Sequence, residues 1–364
     1  MSAGPRVLHV VEAFGGGVAD AVRSFVATAA HAEHHLLYAL RDGITVDPAT
    51  FTRFATAVQL PASSLRRITA TRAAVRRVQP DIVHAHSSFA GVYARAAVSR
   101  HRTPIVYSPH CFSFERGDVS PFVRGVFRMV ERALASNTSA FAACSYRELS
   151  LAHELSSRPA HLIVNIARVV EEHSAAPSAA QNSGAFTISM TGRLAPQKGI
   201  ATFARLAREV VEHCEGVRTV WIGGGEDALA APLRDAGVEV TGWLDPRGVS
   251  GHLHSTDLYV HTAEWEGFPV GLLEAVARGI PSLVLDRPYA TGLPAEMVVS
   301  DAELADRSVS LVNDGHARER LAAVNAAALE GHTPQAQSQQ LTALYEGVMA
   351  ARPRRRELRT TEHV

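Results

Sequence analysis

The sequence predicts an α/β protein of two similar domains, each a parallel sheet with helices on both faces. Three observations carry this expectation. The chain has 364 residues, and a single domain holds roughly 100–200. Short apolar runs alternate with amphipathic stretches, which is the pattern of strand–helix–strand units. The alternation halts in a polar, Ala- and Ser-rich stretch at 171–184 and then starts afresh.

In the first unit, strands are expected at 7–11, 36–40, 82–85, 104–107, 140–143 and 162–164, all short apolar runs. Helices are expected at 19–30, 65–78, 90–98, 122–135 and 146–155, where apolar residues recur every three or four positions. In the second unit, strands fall at 186–190, 217–222, 238–240, 258–261 and 282–285, and helices at 200–214, 228–236 and 270–278. From about residue 301 the chain reads as mostly helical. The domain organisation that follows is an N-terminal domain at 1–170, a C-terminal domain at 185–333 and a last helix at 334–351 that packs back on the first domain. The basic tail at 352–364 is expected to fray.

Composition narrows the class. Apolar residues make up 46% and charged residues 20%, ordinary for a globular chain. No run approaches the ~18–20 apolar residues of a membrane span, and the N-terminus reads as a buried strand, too short for a signal peptide. Cys111, Cys144 and Cys214 are widely spaced and odd in number, so no disulfide framework is expected and a reducing, cytoplasmic compartment fits. Residues 1–168 hold 19 arginines and 11 acids, a net of +8, which leaves −8 for the rest of a chain whose formal charge is zero. Unlike halves meeting across a cleft is one reading, and a first domain resting on anionic lipid is the other.

Only one of the 36 basic residues is a lysine, Lys198. A compact ammonium on a flexible stem suits a phosphate, whereas a guanidinium fork does a different job. Arg193 lies five residues earlier, just past a predicted strand. Two cations beyond a strand end and ahead of a helix form a plausible diphosphate clamp. In the same unit, Glu266 and Glu274 bracket Gly267, Phe268 and Pro269. Pro269 suits a first helical turn, which puts Glu266 on the preceding loop and Glu274 within the helix. That helix is apolar nearly all round, so a carboxylate within it needs a hydrogen-bonding partner.

The stretches 191–199 (TGRLAPQKG) and 266–284 (EGFPVGLLEAVARGIPSLV) together resemble the donor domain of retaining family 4 glycosyltransferases, which have the GT-B fold. The similarity extends over nearly the whole chain. It includes the glycine loop Gly15, Gly16 and Gly17, the strand signature 81–86 (DIVHAH), the strand 104–110 leading to His110, the loop with Gly224, and Gly242–Trp243. The resemblance implies that Arg193 and Lys198 hold the donor diphosphate and stabilise departing nucleotide charge. It implies that Glu274 binds the ribose, that Glu266 with the Gly267–Phe268–Pro269 backbone contacts the donor sugar, and that His110 lies beside its reacting face. Gly16, Gly17, Gly224 and Trp243 then belong to the donor side. Transfer from a nucleotide diphosphate sugar, with UDP favoured, to a hydroxyl acceptor in surface polysaccharide or glycoconjugate synthesis is the implied activity. A nonhydrolysing nucleotide-sugar epimerase and a non-catalytic nucleotide-sugar-binding protein are the alternatives.

No Asp-x-Asp occurs, so no metal site is expected and the Arg/Lys clamp stands in place of a divalent ion; no cofactor beyond the nucleotide sugar is implied. Two departures from the family pattern stand out. His261-Thr262-Ala263 precedes the glutamate motif where a serine is common, and the donor loop after 285 is reduced to Thr291, Gly292 and Glu296. Among 18 histidines, His84 with His86 and His252 with His254 have metal-ligand spacing, yet the second half offers no matching strand-end ligands. The stretch 65–78 carries five arginines among apolar residues and is a candidate for peripheral contact with the inner face of a membrane. Nothing in the sequence resembles a nucleic-acid-binding module.

Overall fold

Every strand pairing among the described residues is parallel, and the strands fall into two separate sheets. A computed structural model of the chain describes residues 4–40, 48–168 and 184–352. The predicted linker and tail lie outside the described residues, apart from Gly184 and Arg352.

The first sheet holds β1 (Arg6–Phe14), β2 (Glu33–Leu40), β3 (Thr56–Gln59), β4 (Ile82–His86), β5 (Ile105–Ser108), β6 (Ala140–Ala143) and β7 (Ala160–Leu162), in the order 3-2-1-4-5-6-7. Its helices are α1 (Gly16–Thr28), α2 (Ser64–Val78), α3 (Ser88–Ala97), α4 (Pro121–Ala135) and α5 (Tyr146–Leu155). The second sheet holds β8 (Phe186–Thr191), β9 (Val217–Ile222), β10 (Glu239–Val240), β11 (Leu258–His261), β12 (Ser282–Leu285) and β13 (Val298–Val299), in the order 10-9-8-11-12-13. Around it lie α6 (Ile200–His213), α7 (Asp227–Arg234), α8 (Pro246–His254), α9 (Val270–Val276), α10 (Leu304–Asn313) and α11 (Gly315–Ala328). In each sheet the strand order reverses beside the first strand, between β1 and β4 and between β8 and β11. Ligands of such sheets bind at the carboxyl ends beside that reversal.

Strands β4, β5, β6, β11 and β12 are buried at every residue, because helices cover both faces. Sharp starts come from side-chain caps. Ser120 ahead of Pro121, Ser145, Asp245 ahead of Pro246, and Thr333 ahead of Pro334 each accept a backbone N–H of the first turn. The last helix, α12 (Pro334–Ala350), lies on the first sheet. Leu341, Leu344 and Tyr345 are buried there, and the Tyr345 hydroxyl is 2.9 Å from His84 Nδ1.

The structure departs from the sequence reading in six places. The edge strand β3 was unanticipated because Thr56–Gln59 is short, only half apolar and largely exposed, and pairs only with β2. Likewise β13 is two residues long, and α8 contains two glycines and a proline, so neither has a periodic signature. Strand β7 ends at Leu162, where 162–164 was expected. The backbone of Val164 is taken instead by α12, its N–H by Gln340 Oε1 at 2.9 Å and its carbonyl by Gln337 Nε2 at 2.7 Å. Helix α1 starts at Gly16, three residues early, so the glycine loop is itself a helix start. Pro269 sits one residue ahead of α9, as its cap.

Candidate functional site

Two turns of the second domain are laced together through Gln197. Its carbonyl accepts Glu264 N–H at 2.8 Å, its Nε2 donates to the Trp265 carbonyl at 2.8 Å, and its Oε1 accepts from Arg193 Nη2 at 3.3 Å. The turn after β8 and the turn after β11 thereby become one wall. On it, Lys198 Nζ is paired with Glu266 Oε1, both side chains largely shielded from solvent. The Lys198 stem lies against Gly192, where an added Cβ would come 3.2 Å from Cδ. Gly199 adopts φ 68° beneath it, and any side chain there would collide with the Thr262 carbonyl.

The facing wall is the loop after β5. His110 and Cys111 are both left-handed, at φ 49° and 79°, which is uncommon outside glycine. A buried carboxylate holds this turn. Glu148 accepts the Cys111 N–H and, at 2.9 Å, the Cys144 N–H. Burial pushes the Glu148 acid upward from its ordinary value, and the two backbone donors oppose that. Between the walls lies a cleft of about 300 Å³, lined on one side by His110, Cys111, Ser113, Arg116 and Asp118 and on the other by Arg193, Ala195, Pro196, Gln197 and Trp265. A shallower cavity of about 580 Å³ lies at the loop after β12, around Arg287 and Gly292.

Glu274 is 6% exposed, and its partner comes from the interdomain segment. Arg168 Nε is 3.3 Å from Glu274 Oε1, while Arg168 Nη2 donates to Asp20 Oδ2 of α1 at 2.9 Å. Burial raises the Glu274 acid, Arg168 pulls it down, and Asp20 raises it again. Gly224 backs onto Trp243, which is 55% exposed, and its carbonyl accepts Leu194 N–H at 2.8 Å. This joins both residues to the Arg193 turn. Gly16 and Gly17 start α1 beyond β1, and a Cβ at either would meet nothing within 4 Å.

Gly267 and Phe268 sit at the domain junction. A Cβ on Gly267 would lie 2.8 Å from Cys144 Sγ and 3.0 Å from Glu148 Oε1, so only glycine fits against the first domain. The Phe268 ring stacks on His332 at 4.7 Å, and its carbonyl accepts from Asn165 Nδ2 at 3.0 Å.

The structure thus gathers Arg193, Lys198, Glu266 and His110 at the interdomain cleft, with Gly224 and Trp243 behind Arg193. Glu274 stands apart from that group, on Arg168. Sequence reasoning missed Gln197, Glu148, Arg168 and His261. Gln197 was legible within the lysine motif. His261 is fully buried, its Nε2 3.8 Å from Glu266 Oε1, and its place ahead of the glutamate motif was the signal. Glu148 and Arg168 carried none. The His84/His86 pair belongs to a buried cluster with His9 in which one ring nitrogen from each residue lies within 4.8 Å of the other two. His252 and His254 lie on α8, away from it.

The first domain matches the family model described as "Glycosyl transferase 4-like domain" over residues 3–166, and the second matches "Glycosyl transferases group 1" over 185–324. A UDP-Gal:alpha-D-GlcNAc-diphosphoundecaprenol alpha-1,3-galactosyltransferase of Escherichia coli is 28% identical over 233 residues, 58% of this chain and 59% of that one. The chain spans 59% of the length of the curated relatives it matches first. A sucrose-phosphate synthase from Thermosynechococcus elongatus superposes with a TM-score of 0.75 over 95% of this chain and 100% of that chain, at 14% identity. Anabaena HepE in complex with UDP-glucose does so at 0.71 over 94% and 100%, at 18% identity. At such identities the superpositions establish a common two-domain fold.

Proposed function

Because the chain belongs to the family 4 glycosyltransferases of GT-B fold, with a 4-like domain followed by a group 1 domain, we propose that it transfers a sugar from a nucleotide diphosphate sugar to a hydroxyl acceptor. The observation that carries this reading is the cleft with Arg193 and Gln197 on one wall and His110 on the other, beside the Lys198–Glu266 pair that the same two turns carry. Arg193 and Lys198 meet the diphosphate and stabilise the charge that grows on it as the sugar leaves, a contribution largest in the transition state. Glu266 and the backbone that follows it orient the sugar. Glu274, held by Arg168, takes the ribose hydroxyls, and Trp243 and Gly224 flank the nucleotide. The family relationship supports retention of anomeric configuration. The names of the E. coli relative and the Anabaena complex favour a UDP-sugar, and the E. coli name also supports a lipid-linked glycan as acceptor.

Transfer is independent of divalent metal on this reading, since two fixed cations serve the diphosphate. A thermal-shift panel of UDP, GDP, ADP and dTDP tests both points. One nucleotide is expected to stabilise the protein, with or without EDTA, by about 2.7 kcal/mol at a hundredfold excess over its dissociation constant. No shift with any of them, or turnover abolished by EDTA, sinks the reading.

Membrane contact is better supported on α4 than on the basic helix α2. The apolar residues of α2 turn largely inward, with Ala74 and Val78 buried, and Leu65 is its one strongly exposed large apolar side chain. On α4, Phe122 (81% exposed), Met129 (64%) and Val130 (36%) share one face, beside exposed Arg132. An apolar stripe beside cations fits the interface of an anionic bilayer. Among the described residues no helix is long and apolar enough to cross a membrane. In flotation with phosphatidylglycerol vesicles, Phe122→Ser with Met129→Ser is expected to lose most binding, and Arg66→Gln with Arg67→Gln to lose little. The reverse ranking returns the contact to α2.

A further inference from the structure

One face of the first sheet collects four histidines. Parallel register sets His9 of β1 beside His84 of β4, and His34 of β2 beside Val7, while His86 lies two residues beyond His84. Side chains two apart share a face, so all four rings meet in one layer, with His110 at its end. From α1, the Phe25 ring lies 5.7 to 6.4 Å from those of His84, His86 and His110.

The rings form an unbroken hydrogen-bonded row. His34 Nε2 is 3.0 Å from the Ala29 carbonyl, and His34 Nδ1 is 3.0 Å from His9 Nε2. His9 Nδ1 is 2.9 Å from His86 Nε2, and His86 Nδ1 is 3.1 Å from His110 Nε2. A carbonyl oxygen only accepts, so His34 Nε2 carries a proton. A neutral imidazole has one N–H. His34 Nδ1 therefore accepts from His9 Nε2–H, His9 Nδ1 accepts from His86 Nε2–H, and His86 Nδ1 accepts from His110 Nε2–H. His110 Nδ1 is left bare, at the cleft, with no hydrogen-bond partner among the described residues. The rings are neutral near pH 7, because burial lowers His9, His34 and His86 and takes His110 down to about 4. Reversing any one member would bring two N–H groups or two bare nitrogens face to face in a dry interior, leaving buried polar groups unsatisfied.

We propose that His34, His9 and His86 are a tautomer relay that presents His110 to the cleft as a hydrogen-bond acceptor at Nδ1, so that the site selects a sugar bringing a hydroxyl there over one bringing a carboxylate. The relay stands on the geometry of the row and on the neutrality of its buried rings. The selectivity also rests on the glycosyl-transfer reading, and it narrows the donor to neutral hexoses over uronic acids. His9, His34 and His86 are positioning residues, acting through His110. A zinc centre at His9, His84 and His86 is the competing use of the cluster. It would take one nitrogen from each ring, and so displace at least one link of the row and one of the two bonds of His84, to the Tyr345 hydroxyl or to Ser108 Oγ, each 2.9 Å.

The test is long-range ¹⁵N–¹H NMR of histidine-labelled protein, with His110→Gln giving the assignment. His110 is expected to show a bare Nδ1 and a protonated Nε2. In His34→Phe, which lacks the anchor, His110 is expected to shift toward the opposite tautomer. His34→Gln, whose amide can both donate to Ala29 and accept from His9, is expected to restore it. Protonated Nδ1 in the wild type, an unchanged tautomer in His34→Phe, or one equivalent of tightly bound zinc overturns the relay; the wild-type spectrum decides even if His34→Phe does not fold. For selectivity, the ratio of kcat/KM between a UDP-hexose and the matching UDP-uronic acid is expected to fall about tenfold or more in His34→Phe and to hold in His34→Gln. An unchanged ratio overturns the selectivity. Absence of transfer from every nucleotide sugar, with the wild-type tautomer as stated, overturns the functional reading and leaves the relay standing.

Discussion

Lys198→Ala is expected to lower kcat about 10²–10³-fold, the usual cost of removing one preorganised group that faces developing charge. On the proposed transfer reaction the loss falls on kcat more than on donor KM, because the phosphate would gain charge only as the sugar departs. Lys198→Arg is expected to restore little. Its planar fork is longer, and the lysine stem follows a narrow path over Gly192 to reach Glu266. Lys198→Ala also leaves Glu266 without its cation beside the buried His261 ring, so some loss of stability should accompany it. Steady-state kinetics on protein of verified fold separate the two effects. A kcat within threefold of wild type would show that the diphosphate is held elsewhere, for which the loop around Arg287 and Gly292 is the next place to look.

Stability is expected to collapse on mild acidification. In the unfolded chain each histidine takes a proton near pH 6.5. In the folded chain His9, His84 and His86 are fully buried and held well below that value, chiefly by burial and then by one another. His34 is lowered too, and His110 to about 4. The folded state therefore binds fewer protons, and stability present above pH 6.5 drains away as the pH falls toward the folded values. Each fully buried ring costs about 1.4 kcal/mol per pH unit in that window. With three such rings in one cluster, the loss by pH 5.5 is a substantial share of a total that is typically ~5–15 kcal/mol. Glu115, Glu148 and Glu274, raised by burial, act with the opposite sign as the pH falls toward the ordinary carboxylate value. Urea unfolding followed from pH 7.5 to 5 measures the slope, and His9→Gln should reduce it by close to one proton. A flat profile above pH 5.5 would mean that the cluster is already protonated or hydrated when folded.

Much of this molecule was readable from its residues. Strands such as 140–143 and 282–285 are local apolar runs, and their burial on both faces follows from the run itself. The lone lysine marked the turn after β8, and the spacing of Glu266 and Glu274 put one on a loop and one in a helix. Reading failed where the local signal is weak or points elsewhere. Short, largely exposed β3 owes its place chiefly to pairing with β2, and Val164 reads as strand but is claimed by two glutamine side chains of α12.

The sequence by itself determined the two α/β units, the family they belong to and the residues of the cation and glutamate motifs, because each is written in a contiguous stretch. Only the tertiary structure decided the partners. Arg168 meets Glu274, Glu148 braces the His110–Cys111 turn, and Gly267 presses against Cys144. It alone aligned His34, His9 and His86, which are 25 and 77 residues apart along the row. Hydrogen-bond polarity in such a row depends on strand register and on one carbonyl at its end, and neither is encoded in any local pattern.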